Sequence, residues 1–121
     1  MWWEYIKRFP GPSSLFPEPW GFWALEVDQN ATVLEVASAR DWLSVVDAHP
    51  VHHRGFVYPD WTAIAARWDA VHMTAAAILA TQGVCLRLAD GSPVAAPFWD
   101  VESTFWLRWV FAGAERIAVA R

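Results

Sequence analysis

Ten of the 121 residues are tryptophan, and this excess constrains the fold more than any other feature of the chain. An indole fills a large volume and its N–H still needs an acceptor when buried, so a core of this size cannot enclose all ten. The tryptophans must be divided between a packed interior and the surface. The length suits one domain, which buries roughly two-thirds of its unfolded surface on folding. A composition that is 55% hydrophobic and 18% charged excludes disorder, because the apolar surface is ample to offset the entropy of ordering.

The charge balance, 9 Lys+Arg against 13 Asp+Glu, gives no general attraction for phosphate backbones, and the arginines are scattered. Nucleic acid is therefore not an expected partner. The lone Cys85 cannot form an internal disulfide, and the start of the chain puts aromatics before Lys7-Arg8 without an apolar export core, so the cytoplasm is the expected location. No stretch reaches the roughly 20 apolar residues of a membrane helix, since the most hydrophobic one, residues 105–114, is broken by Arg108.

Two regions follow: an aromatic, proline-rich N-terminal segment over residues 1–19 and a single α+β domain over residues 20–121. In the first, Pro10, Pro12, Pro17 and Pro19 remove amide donors and exclude a helix. In the second, period-two alternation predicts strands over 20–27 and 32–36, joined by the polar turn Asp28-Gln29-Asn30. Ser38 followed by Asp41 reads as a helix cap, and Trp42, Val45, Val46 and His49 form the apolar stripe of a helix ending at Pro50. Residues 51–58 lack a clean period and read as a loop running into a short extended piece. Asp60 caps a second helix with the stripe Trp61, Ile64, Ala65 and Trp68, and Thr74 caps an alanine-rich third helix closed by Gly83. Further strands are predicted over 69–73 and 84–88, with Cys85 as a small interior residue. A last strand from Phe105 to Phe111 has one wholly apolar face and should be central. The expected architecture is a mixed, mostly antiparallel sheet of about five strands with three short helices. Trp42, Trp61, Trp68 and Trp109 fall on the apolar faces and are expected in the core. Trp2, Trp3, Trp20 and Trp99 are not so placed.

His49, His52 and His53 are close in sequence but lack the further ligands at usable spacing that define a zinc motif, so no metal is expected. Asp69-Ala70-Val71-His72 resembles the Asp-x-x-His block of SGNH hydrolases. That family also needs a Gly-Asp-Ser motif, absent here, and residues three apart on a strand face opposite sides. The remaining constellation is Asp100-Val101-Glu102, an acid pair immediately before a hydrophobic strand, on the face that continues through Thr104, Trp106 and Arg108. In the simplest case these acids end the strand in solvent.

The order of pieces resembles the ADP-ribosyltransferase class over about Trp20 to Phe111. It consists of the strand around Ala31 to Val36, the helix with Asp41-Trp42, the helix opened by Pro59-Asp60-Trp61, then Trp68-Asp69-Ala70-Val71 and the acid-x-Glu. The resemblance implies that Glu102 holds the nicotinamide ribose of NAD and steadies the cation formed as nicotinamide leaves. Asp100 assists, and Trp99, Trp106 and Thr104 face the cofactor. A carboxylate in that role must be fixed and aimed at developing positive charge. The early Arg or His and the Ser-Thr-Ser element of the class are not found, which fits a shortened or inactive relative equally well. A second expectation, drawn from the tryptophans, is a non-catalytic protein-interaction or inhibitory module, docking a partner or a second copy through the N-terminal aromatic segment.

Overall fold

The computed structural model describes residues 19–120. Of the docking element expected over Trp2 to Trp20, residues 1–18 lie outside them, and Trp20 opens the first strand. The chain is an α+β protein, with three helices and seven strands among the described residues. None of these helices is long and apolar enough to cross a membrane.

The strands fall into three separate sheets. Strand β1 (Trp20–Val27) and β7 (Phe111–Ala120) form an antiparallel two-stranded ribbon with irregularities beside Phe22/Trp23 and Glu26/Val27. This ribbon makes one compact unit, and Gln29–Val110 makes the other. The strand expected over 20–27 is present, but it pairs with the end of the chain and not with its neighbour across Asp28-Gln29-Asn30. Both ribbon strands leave large side chains in water, including Trp23, Leu25 and Ile117.

The Gln29–Val110 unit is built on a three-stranded sheet in the order β2 (Val33–Val36), β5 (Ala70–Met73), β6 (Ser103–Trp106). Strand β2 runs parallel to β5, and β6 runs antiparallel to it. Alternation sends Val36, Val71 and Met73 to one face, where all three are fully buried. The opposite face carries Glu35, His72 and Thr104 in one row across the sheet. The apolar run from Phe105 does not form the expected central strand. It is divided between β6, an edge strand, and β7, with Phe105 and Trp109 exposed. Residues 84–88 do not form a strand either. They form an isolated bridge between Arg87 and Pro93 and place Leu86 in the core, and Cys85 is exposed.

The caps form as the sequence requires. Helix α1 (Ala39–Ala48) starts at Ser38, whose Oγ accepts from Asp41 N–H and donates to the Asp41 carboxylate, and it buries Trp42, Val45 and Val46. Asp60 accepts from Thr62 and Ala63 N–H to open α2 (Trp61–Ala65), which ends before the predicted Trp68. Thr74 caps α3 (Ala75–Thr81), and Gly83 follows that helix with φ of 71°, the left-handed conformation that glycine adopts without steric cost. Residues 51–58, expected to be a loop running into a short extended piece, lie in a hairpin of β3 (Pro50–His53) and β4 (Phe56–Pro59). Its two-residue turn, Arg54-Gly55, has positive φ at both positions, as the right-handed strand twist favours.

Trp42 is the largest fully buried side chain, and its Nε1–H donates to Ala95 O over 3.1 Å. Trp42→Phe keeps an aromatic ring but orphans that carbonyl and leaves a void. The expected loss is about 1–3 kcal/mol, read as a lower urea midpoint at unchanged slope.

Candidate functional site

Glu102 sits just before β6 with its side chain about half exposed (53%). One oxygen, Oε2, accepts from the Ala75 N–H at the start of α3 over 2.9 Å. The other, Oε1, lies 3.7 Å from His72 Nε2. On the far side of the imidazole, His72 Nδ1 is 3.0 Å from Thr104 Oγ1. The register produces this row, because β5 and β6 pair His72 directly with Thr104 and alternation puts both on one face. A carboxylate facing Nε2 favours the tautomer with hydrogen there, which leaves Nδ1 to accept from the threonine hydroxyl. The arrangement can therefore hold an imidazole in one orientation and polarise one hydroxyl.

The other residues named from the sequence are distributed differently. Asp100 is exposed and is not part of this row. Trp99, expected at the surface, is half-buried in an aromatic cluster, with its ring centroid 6.4 Å from Trp42, 6.1 Å from Trp61 and 6.3 Å from Phe105. Trp106 is half-buried opposite Ala70, on the sheet face that carries His72 and Thr104. Trp109, expected in the core, is 74% exposed. Sequence reasoning missed His72, which was weighed only with Asp69. Strand alternation does separate those two, but the partner His72 gains across the sheet cannot be read from spacing along the chain.

Asp69 has a different role. Its Oδ2 accepts from Thr32 N–H over 2.7 Å and from the Thr32 hydroxyl over 2.9 Å, and its Oδ1 meets Arg108 Nη2 at 2.6 Å. The Thr32 backbone hydrogen bond, followed by the Thr32 hydroxyl and Arg108, holds the Asp69 carboxyl below the ordinary range, against an opposing push from burial. Among the described residues, no group of three or more His, Cys, Asp or Glu side chains could hold a metal ion. His53 instead packs edge-on against Tyr58.

A groove of about 280 Å³ lies elsewhere, beside β2 and α1, floored by Leu34, Val45, Ala48 and Trp68. Glu102 does not line it. No family model, curated protein or solved structure matches the chain.

A carboxyl with a depressed folded-state value stabilises the protein above its unfolded value of about 3.9, and that contribution is lost as pH falls through the lower folded value. Acid unfolding should accordingly steepen below about pH 4 in the parent protein. In Asp69→Asn that part of the pH dependence should be missing, as urea unfolding at a series of pH values would show.

Proposed function

We propose that the chain acts as a non-catalytic interaction module whose contact surface is the aromatic stretch around Phe98 and Phe105. The observation that carries this is Phe98, 82% exposed and held at φ of 55°. Left-handed backbone at a bulky residue costs on the order of 1–3 kcal/mol, and an exposed phenyl ring recovers none of it within the fold. Such strain at a surface aromatic is accounted for when the ring is offered to a partner.

The surroundings define that partner. Val101 and Phe105 are also exposed, and Trp99 and Trp61 back the Phe105 ring from within. Rigid aromatic rings supply contact area at little entropic cost. From Leu88 to Leu107 the chain carries Asp90, Asp100 and Glu102 and no Lys or Arg. The matching surface is an apolar one set among basic residues, attracted by these carboxylates and the aromatic faces.

An ADP-ribosyltransferase-like role for Glu102, with NAD as substrate, is the second reading. What favours it is that Glu102 is fixed by Ala75 N–H and faced by His72.

Two measurements separate these readings. A blocked peptide of alternating leucine and lysine should quench tryptophan emission, and its leucine–glutamate counterpart should not. Phe98→Asn, which accepts left-handed backbone, should raise the melting temperature and weaken binding of the first peptide by about 30-fold, the size of an interface hot spot. Equal binding of both peptides, or no effect of Phe98→Asn, would defeat the proposal. Millimolar NAD that shifts the melting temperature of the parent but not of Glu102→Gln would favour the transferase-like reading.

A further inference from the structure

Among the described residues, strand β2 is paired on one side only. Thr32 O accepts from Ala70 N–H, and Val36 O accepts from Thr74 N–H. The even-numbered residues therefore face β5, and in a parallel ladder the N–H and C=O groups of Val33 and Glu35 point to the other side. Among the described residues those groups have no hydrogen-bond partner. Val33-Leu34-Glu35-Val36 contains no proline, lysine or bulge, so the protection of this edge is limited to its four-residue length and the Glu35 charge.

The groove runs along this free edge, between β2 and α1. At about 280 Å³ it falls just under the range of roughly 300–1,000 Å³ that encloses a drug-sized ligand, so it suits one large apolar side chain. Its two ends differ in charge. Glu35 and Asp41 lie where β2 leads into α1, whereas His49 closes α1 and Arg67 precedes the residues that bind Thr32. From Asp41 to His49 the helix rises about 12 Å, the length of three or four extended residues.

The geometry points to the β2 edge as a docking site for an extended segment of another protein, added to the sheet as a fourth strand. One leucine-sized side chain enters the groove, with a basic residue toward Glu35 and Asp41 and an acidic one toward His49 and Arg67. Main-chain hydrogen bonds to Val33 and Glu35 supply affinity, and the groove and its charged ends supply selectivity. This site is separate from the Phe98 surface and does not depend on it.

The test uses blocked heptapeptides of valine and threonine with a central leucine and with aspartate and lysine on either side, in both chain orders. Binding to the full chain is followed by calorimetry. The order lysine–leucine–aspartate, which meets both charged ends when added antiparallel to β2, should bind more tightly than the reverse order, which meets them only in the slightly less stable parallel pairing. Glu35→Pro removes an outward N–H while leaving the β5 ladder intact, and Ala48→Trp fills the groove from an exposed position on α1. Each should weaken the peptide by about tenfold or more, and Phe98→Asn should leave it unchanged. Equal binding of both orders, no binding at millimolar peptide, or indifference to both β2-edge variants would overturn the proposal. A concentration-dependent dimer in sedimentation that disappears in Glu35→Pro would also overturn it, assigning the edge to a second copy of this chain.

Discussion

Asp69 ties together one end of the three-stranded sheet. Its carboxylate accepts two hydrogen bonds from Thr32 ahead of β2 and pairs with Arg108 beyond β6, and its own carbonyl accepts from Leu107 and Arg108 N–H. A slip of one residue in either pairing would break this clasp and would turn the core-facing side chains of the strand that shifts to the other face. The position of every other feature on the sheet follows from that register. His72 meets Thr104, Glu35 lies in the same row, and the outward amides of β2 alternate as they do, because Thr32, Asp69 and Arg108 are held together.

The local structure of the sequence was largely legible where side chains act on their own backbone. Ser38, Asp60 and Thr74 cap helices because each offers an oxygen to amides two or three residues on, and that spacing is visible along the chain. Pairings over long distances were not legible. Residues 50–59 alternate poorly, and Arg54-Gly55 is not the usual Asn-Gly turn signal, so the hairpin was missed. The apolar run beginning at Phe105 suggested a central strand. The break between Trp106 and Phe111 divides it, and no local residue pattern marks that break. At the candidate site, Glu102 and Thr104 were identified for chemistry that their own positions allow. His72, which joins them, comes from 30 residues earlier and reaches them only through the sheet.

Among the described residues the tryptophans differ in burial and role. Trp42 is enclosed with its N–H satisfied, Trp61 and Trp99 are half-buried as a stiff support, and Trp23 and Trp109 reach the surface. A large indole set behind an exposed ring holds that ring without extra chain, which is how a protein of this length can present aromatic area and still keep a packed interior.

The pairing of β1 with β7 has a kinetic consequence. Its innermost rung joins Val27 to Phe111, 84 positions later in the chain, and closing a loop of that length costs about 4 kcal/mol in its length-dependent part alone. The strand pairings of the three-stranded sheet in the Gln29–Val110 unit span only 30 to 37 residues and can form without waiting for that closure. The ribbon is then the last piece to assemble during folding and the first to come apart on warming. Its amides should exchange with solvent well before those of β5.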